Sequence, residues 1–335
     1  MEPADSKQIA VESDAERQTK ASSTWRRILL GWATKRTLGI ILLGQVLALC
    51  ITGTNTFTSL LASVGANIPG VQPLFNYALL SLFFIPITFW KVGWRGWLLI
   101  VHPKQVWKFI VFAFFDVIAN IFTIRAYGLT TILSAQLINF WAIVVVVIIS
   151  FFFLKVRYHL TQIVGILVCI TGTSLLVVSD HIQGTNGGPA KDAVKGDLFA
   201  LLGATLYGFA NVAEEYLVSK KPVYVVLGQL GLWGVVINGV YAAIFERTSM
   251  VTTIWTRTAA SYFVGFTLLL NLFYNLAPYV FRLSSAAFFN ISLLTANFWG
   301  LIVGLRVFGL TVHFLYPIVS QRFAAQPTNP CRLLS

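Results

Sequence analysis

The stretch RAYGLTTILSAQLIN, residues 125–139, decides the fold because a related stretch returns 151 residues later. That second stretch is LAPYVFRLSSAAFFN, residues 276–290, and it places Asn290 on Asn139. Similarity at a fixed offset is what an internal repeat leaves in a sequence. The chain is therefore interpreted as two related halves, with one polar position shared between them.

The composition indicates a membrane protein. Of the 335 residues, 57% are hydrophobic and 11% are charged, whereas a soluble domain typically carries about 25% charged residues. A helix that crosses a bilayer needs about 20 mostly apolar residues. Nine stretches meet that condition: 37–57, 73–90, 106–126, 130–154, 160–179, 197–219, 223–245, 258–280 and 284–305. The sequence therefore predicts an all-α polytopic membrane protein.

The repeat divides these spans into two sets. It pairs the third and fourth spans with the eighth and ninth, and a shorter match pairs LLG at 42–44 with LLG at 201–203, at an offset of 159. Two halves of five spans follow, and an odd number of spans places the copies in opposite orientations. Inverted repeats of this kind are a recurring transporter plan, with the substrate near the midplane at the repeat interface. We expect a ten-helix fold with a 5+5 inverted repeat.

The tenth span is expected to be short or missing. Its candidate, residues 308–319, has only twelve residues and includes His313 and Pro317. A clean end is expected for the sixth helix at Pro222. The predicted segments are a disordered cytosolic tail (1–36), a first repeat (37–179), a loop (180–196), a second repeat with an incomplete last helix (197–319) and a polar C-terminal tail (320–335).

Basic residues predict the orientation in the membrane. With the N-terminus in the cytosol, thirteen lysines and arginines near span ends are cytosolic and six are on the other side, as the positive-inside rule requires. The net charge of +12 is scattered between apolar spans, so anionic lipid headgroups are expected as its partners rather than nucleic acid. An endomembrane (Golgi, ER or vesicle) and the plasma membrane are both consistent with this pattern.

Asp116 is the first candidate site residue. It lies near the middle of the span 106–126, and Asn120, Thr123 and Tyr127 follow at i+4, i+7 and i+11. This spacing places a polar stripe on one face of an apolar helix. Ionisable groups inside a membrane are functional hypotheses by default, although a hydrogen-bonded contact between helices is an alternative.

Two adjacent glutamates form the second candidate site. Glu214 and Glu215 share a helix face with Tyr207 and Asn211, at i, i+4, i+7 and i+8. The two glutamates are about 100° apart on a helix, so one is expected to face a cavity while the other pairs elsewhere. The alternative is that both lie at the cytosolic interface and form salt bridges to Lys220 and Lys221.

Uncharged amides occupy repeat-related positions. The fourth span carries Gln136 and Asn139, and the ninth carries Asn290 and Asn297. These groups are interpreted as ligand-orienting residues or, alternatively, as hydrogen-bonding contacts between helices.

Several signatures of other functions are missing from the sequence. It has no G-x-x-x-x-G-K-[ST] phosphate loop, no H-E-x-x-H and no G-x-S-x-G, so ATP-driven transport and the usual intramembrane enzymes are unsupported. The four histidines are dispersed and the three cysteines allow no closed disulfide framework. No cofactor, no metal and no enzymatic activity are expected.

Three stretches closely resemble the F subfamily of solute carrier family 35, within the drug/metabolite transporter superfamily. They are LGQVLALCITGTNTF, FFDVIANIFTIRAYGLTTILSAQLIN and LGATLYGFANVAEEYLVSKKP, and the resemblance runs collinearly over about residues 37–310. It implies a ten-helix drug/metabolite transporter fold that moves small organic solutes, nucleotide-sugar-like or nucleobase/nucleoside-like, by alternating access. The positions it marks are Asp116, Asn120, Arg125, Tyr127, Gln136, Asn211, Glu214 and Glu215.

The chain departs from the family pattern in two respects. Asn139 and Asn297 stand where the resemblance leads us to expect acids, and the end of the chain, PTNPCRLLS, does not complete a tenth helix. A C-terminally incomplete or mis-spliced, divergent or fungal-like member is therefore expected. The alternatives to a secondary transporter are a membrane receptor or scaffold, an inactive truncated transporter and a membrane-embedded enzyme; a homodimer is left open.

Overall fold

The structure is a computed structural model that describes residues 35–130, 134–135, 138–139, 141–153, 192–253 and 255–307. Several predicted segments lie outside these residues. They are most of the N-terminal tail, the fifth span (160–179), most of the loop 180–196, the short tenth span (308–319) and the C-terminal tail (320–335). The predicted segment boundaries therefore stay predictions.

All regular elements among the described residues are helices, which confirms the all-α prediction. The helices are α1 (Lys35–Ser63), α2 (Leu74–Val101), α3 (Pro103–Tyr127), α4 (Trp141–Phe153), α5 (Ala193–Lys220), α6 (Val223–Phe245), α7 (Arg247–Thr252), α8 (Arg257–Leu283), α9 (Ala286–Leu293) and α10 (Thr295–Val307). Six of them, α1, α2, α3, α5, α6 and α8, are long and apolar enough to cross a membrane.

The sixth predicted span ends where proline chemistry requires. Helix α5 stops at Lys220, Lys221 is extended, and Pro222 precedes α6 in an extended conformation. Proline lacks the N–H that would continue a helix and disfavours the helical region in the residue before it. The clean break at Pro222 is confirmed.

The ninth predicted span is not one helix, contrary to the expectation for 284–305. It is divided at Leu294 into α9 and α10. The N–H of Leu294 donates to the carbonyls of Ile291 and Ser292, and the Thr295 hydroxyl also donates to the Ser292 carbonyl. These short-range bonds tighten the last turn of α9, and hydropathy alone gives no sign of them.

Helices α2 and α6, from the second and seventh predicted spans, pack through close backbone approach. A Cβ on Gly231 would lie 2.4 Å from the Ser81 nitrogen, and one on Gly234 would lie 2.6 Å from Cδ1 of Tyr77. Small residues at helix interfaces allow such approach in membrane proteins. The glycines of α6 therefore place α2, and with it Tyr77, against the centre of the protein.

Helix α5, the sixth predicted span, contacts the third and fourth spans. The Tyr207 hydroxyl donates to Asn120 Oδ1 of α3 at 2.9 Å. The Trp141 indole N–H of α4 donates to the Thr205 hydroxyl at 3.1 Å. The first helix of the second predicted repeat therefore packs between helices of the first repeat.

Helix α1, the first predicted span, makes the reciprocal contacts. The ring of Phe57 lies against Gly265 of α8, and the Thr52 hydroxyl donates to the Ala296 carbonyl of α10 at 3.0 Å. Span 6 thus contacts spans 3 and 4 of the first repeat, while span 1 contacts spans 8 and 9 of the second. This reciprocal arrangement is what a repeat predicts. The contacts described here all lie within the compact unit that begins at Gly44.

Many large apolar side chains are exposed on these helices. On α2 alone, Leu82, Phe83, Trp90 and Trp94 are more than half exposed. Exposing such an apolar surface to water is unfavourable, whereas the hydrocarbon of a lipid bilayer solvates it well. The exposed surface is consistent with a multi-pass membrane protein.

Candidate substrate-binding cavity

A cavity of about 130 Å³ lies among the helices of both predicted repeats. One water molecule needs only about 10–15 Å³ by a comparable measure, so the space is large enough for part of an organic ligand. It is lined by Ile51, Asn55, Asp116, Thr123, Asn139, Ala142, Ile143, Tyr207, Asn211, Glu214, Leu270, Phe273, Tyr274, Ala277, Phe289, Asn290, Leu293 and Ala296. Spans 1, 3 and 4 and their counterparts 6, 8 and 9 all contribute.

Asp116 lines this cavity and is held by two tyrosines. Its Oδ2 accepts a hydrogen bond from the Tyr77 hydroxyl at 2.7 Å and another from the Tyr274 hydroxyl at 2.8 Å. The two tyrosine rings meet edge to face, with their centroids 6.1 Å apart. Hydrogen bonds to an ionised group are stronger than neutral ones, so these two donors fix the position of the carboxylate.

Asn120 joins the same network from the next turn of α3. Its Nδ2 lies 3.0 Å from the Tyr77 hydroxyl, 2.8 Å from the Tyr274 hydroxyl and 3.0 Å from the Asp116 carbonyl. Its Oδ1 accepts from the Tyr207 hydroxyl. We call these five residues, Asp116, Asn120, Tyr77, Tyr274 and Tyr207, the tyrosine frame. The frame connects four helices, α2, α3, α5 and α8.

Glu214 also lines the cavity, but its carboxylate is not held. The residue is 8% exposed, and its side chain has no hydrogen bond or ion pair to any described residue. A buried carboxylate without a partner is costly in a membrane protein. Glu214 is therefore a cavity carboxylate with an unused capacity to bind.

Glu215 is directed away from the cavity lining. Its Oε2 accepts the backbone N–H of Ala286, the first residue of α9, at 3.0 Å. The first N–H groups of a helix lack internal partners, and a carboxylate there also complements the helix dipole. Neither glutamate forms an ion pair with Lys220 or Lys221, so within the described ranges the salt-bridge alternative is wrong.

The asparagines differ in their contacts. Asn211 Nδ2 donates to Asn290 Oδ1 at 3.2 Å, and Asn290 Nδ2 donates to the Ala286 carbonyl at 2.8 Å. Asn139, the repeat counterpart of Asn290, lines the cavity, and its side chain lies beside the Tyr127 hydroxyl. Gln136 and the side chain of Asn297 lie outside the described residues.

Arg125 lies outside the cavity lining, near the end of α3. Its guanidinium donates to the Tyr241 hydroxyl of α6 and lies 5.7 Å from the centroid of the Tyr241 ring. Nearby, Glu246 Oε2 accepts the Gly70 N–H at 2.7 Å. Burial raises the pKa of Glu246, while the Gly70 N–H and the Arg125 charge oppose the shift. Arg125 therefore belongs to a contact between the halves rather than to a ligand site.

Tyr127 is also absent from the cavity lining. It is buried, and its hydroxyl lies beside the side chain of Asn139. The polar stripe predicted on α3 is therefore split, because Asp116 and Thr123 line the cavity while Tyr127 does not. Helix α5 approaches this face closely, since a Cβ on Gly203 would lie 2.6 Å from the Thr123 hydroxyl oxygen.

Three site residues were not predicted from the sequence: Asn55, Tyr77 and Tyr274. The offset of 159 places Asn55 opposite Glu214, and the offset of 151 places Tyr274 opposite Thr123, so the repeat contained a usable signal for both. Tyr77 lies close to the start of its span, where an aromatic residue is typical of an interface anchor. Only its contact with Asp116 reveals its position in the frame.

The described part of the cavity lining carries negative side chains and no positive ones. Among its described lining residues are two carboxylates, four asparagines and no lysine or arginine. The described residues also contain no group of three His, Cys, Asp or Glu side chains that could hold a metal ion. What the arrangement can do chemically is accept hydrogen bonds from a ligand and stack against its rings.

Comparisons with known proteins agree with this architecture. The profile of SLC35F, solute carrier family 35, matches residues 33–324. A solved crystal structure covers 84% of this chain and 92% of its own length with a TM-score of 0.59; at 16% identity it supports the fold alone.

Two curated relatives extend over most of the chain. An uncharacterized solute carrier family 35 member, C320.08, from Schizosaccharomyces pombe is 48% identical over 85% of this chain, which spans 56% of that relative's length. Solute carrier family 35 member F2 from Mus musculus is 35% identical over 87% of this chain and 77% of its own length. The chain therefore belongs to solute carrier family 35, in its F group, a family of transporters of small solutes.

Proposed function

We propose that the chain is a secondary or facilitative transporter of small polar organic solutes that works by alternating access. The observation that carries the proposal is the cavity, since it is lined by spans 1, 3 and 4 together with their repeat counterparts 6, 8 and 9. A site between two repeats is reached from alternate sides when one repeat rocks against the other.

Contacts between the halves at both ends of α3 and α6 support this mechanism. At one end, the Lys221 ammonium donates to Gln105 Oε1 at 2.7 Å. At the other end, Arg125 binds Tyr241 and Glu246 binds the Gly70 N–H. Opening either side of the cavity requires one of these polar contact sets to break while the other persists. Such contacts are weak enough to exchange because each is a few hydrogen bonds.

The charge of the lining favours one substrate class over another. A nucleotide sugar carries a negative diphosphate, which proteins bind with arginine, lysine, helix N-termini or metal ions. The described lining offers two carboxylates and no basic side chain. Its amides and aromatic rings suit a planar, donor-rich heterocycle. We infer that the substrate is nucleobase-like or nucleoside-like, without a phosphate.

The proposed setting is an integral multi-pass protein of an endomembrane or the plasma membrane, with the N-terminus in the cytosol. The thirteen basic residues on one side of the predicted spans support this orientation. Labelling of a cysteine introduced into residues 1–36, in intact and in permeabilised cells, tests it. Labelling of intact cells at the plasma membrane would contradict the orientation.

Transport is tested with purified protein in liposomes. Saturable uptake of a labelled nucleobase or nucleoside, competed by the unlabelled compound and absent from empty liposomes, is expected. Uptake of UDP-glucose under the same conditions would overturn the substrate class. A protein that binds these compounds but moves none of them is a receptor, and that outcome would sink the transport proposal.

A further inference from the structure

Asn55 and Glu214 are a matched pair of polar groups in the cavity. The offset of 159 residues that aligns LLG at 42–44 with LLG at 201–203 places Asn55 on Glu214. Both line the cavity and both are 8% exposed. Neither side chain has a hydrogen bond to another described residue, although both carry strong hydrogen-bonding groups. At this matched position, each repeat therefore presents an unused polar group to the cavity.

Three other polar residues of the cavity are already engaged through hydrogen bonds to protein groups. Asp116 Oδ2 accepts from Tyr77 and Tyr274. Asn211 and Asn290 bond to each other. Buried polar groups are normally satisfied, so an unsatisfied one calls for a specific explanation. A ligand in the cavity supplies that explanation for Asn55 and Glu214, because both lie at its wall.

The pair is symmetric in position and asymmetric in charge. Glu214 brings a carboxylate from the second repeat, whereas Asn55 brings a neutral amide from the first. No lysine or arginine among the described lining residues offsets the charge of Glu214. A cationic N–H group on a ligand would both neutralise the carboxylate and satisfy its lone pairs.

We propose that Glu214 binds a positively charged N–H donor of the substrate and that Asn55 hydrogen-bonds its neutral end. This inference rests on the proposed function and deepens it, since it adds a charge to the substrate class. Asp116 is then a positioning residue, which holds Tyr274 at the cavity wall. The asymmetry fixes the direction in which the substrate lies between the repeats.

The experiment compares two probes that differ in charge. Adenosine is neutral, and 1-methyladenosine carries a positive charge at neutral pH. Binding of each probe to the purified full chain in detergent is measured by calorimetry or by ligand-induced thermal stabilisation. The variants are Glu214→Gln, Asp116→Asn and the double variant Asn55→Asp with Glu214→Asn, which moves the charge to the other repeat. Glu215→Gln is the matched control, because that neighbour contacts α9 instead of the cavity lining.

The expected result is a preference of the wild type for 1-methyladenosine by about tenfold or more, the usual size of a charged hydrogen bond. Glu214→Gln reduces the preference to about one while adenosine still binds, which shows that the variant is folded. Asp116→Asn weakens the binding of both probes by a similar factor, so the ratio of their affinities is unchanged. Moving the charge to residue 55 restores part of the preference, and Glu215→Gln changes neither affinity.

The proposal is overturned if the wild type shows no preference for the cation, which includes binding neither probe. It is equally overturned if the preference survives in Glu214→Gln or disappears only in Asp116→Asn. A Glu214→Gln variant that keeps the preference but loses stimulation of uptake by a pH gradient assigns the carboxylate to a proton instead. Binding in detergent needs no transport, so an intact preference without uptake in liposomes refutes the transport function alone.

Discussion

Glu214 and Glu215 are adjacent in the chain, yet Glu214 lines the cavity while Glu215 accepts the N–H of Ala286 at 3.0 Å. Neighbouring helical side chains point about 100° apart. Two consecutive residues of one helix can therefore face a cavity and a neighbouring helix, respectively. One glutamate remains available to a ligand, and the other fixes the start of α9 beside Asn290.

The Glu215 contact predicts a loss of stability on truncation. Glu215→Ala leaves the Ala286 N–H without its carboxylate acceptor, and loss of a helix-capping group costs about 1 kcal/mol. The midpoint of thermal unfolding in detergent is expected to fall. Glu214→Gln, which breaks no described contact, is the control and is expected to unfold at or above the wild-type midpoint. A larger loss in Glu214→Gln than in Glu215→Ala would contradict these assignments.

The tyrosine frame predicts a cost for removing one hydroxyl. Tyr274→Phe leaves Asp116 Oδ2 with one donor instead of two, and a hydrogen bond to a charged group contributes about 1.5–3 kcal/mol. Chemical unfolding in mixed micelles measures this change. Tyr279→Phe is the matched control, because Tyr279 lies on the same helix and is 51% exposed. Equal stability of the two variants would show that the frame is not a stabilising network.

The close approach of α6 to Tyr77 predicts opposite effects of two alanines on one helix. In Gly234→Ala the new methyl would lie 2.6 Å from Tyr77 Cδ1, so the ring that donates to Asp116 must shift. Both stability and probe binding are expected to fall. Gly239→Ala meets no atom within 4 Å and is expected to be neutral or stabilising by up to about 1 kcal/mol, the difference in helix propensity. Unchanged probe binding in Gly234→Ala would show that Tyr77 does not depend on this contact.

Glu246 predicts a pH-dependent contribution to stability. Burial raises its pKa above the ordinary value of 4.5, so the folded state favours the protonated form. Its contribution is fully present below about pH 4.5 and is lost as the pH rises through the folded pKa. As the pH rises through this range, the unfolding midpoint of the wild type should therefore fall relative to that of Glu246→Gln.

Asp192 is the control for this titration, because its contribution to stability changes with pH in the opposite direction. The exposed Asp192 carboxylate forms an ion pair with Lys195 at 2.7 Å, which lowers its pKa. Its contribution is present above its ordinary pKa and is lost as the pH falls. Glu246→Gln and Asp192→Asn with the same pH profile would contradict both assignments.

The sequence by itself determined the family and most of the long helices among the described residues. Length and apolar content set α6 at 223–245, the bounds that the structure has, and Pro222 predicted the break before it. The spacing of Asp116 and Asn120 placed both on one face of α3, because helical periodicity is a local property. The offset of 159 also contained the pairing of Asn55 with Glu214.

Only the tertiary structure decided which polar groups are engaged and which are free. Asp116 is bonded to Tyr274, which lies 158 residues away in the chain, and Arg125 is drawn to Tyr241, away from the cavity. No local pattern records such partners, since they depend on how helices distant in sequence approach one another. Glu214 and Glu215 are the same residue type in adjacent positions, and packing against α9 alone gives one a partner and leaves the other facing the cavity.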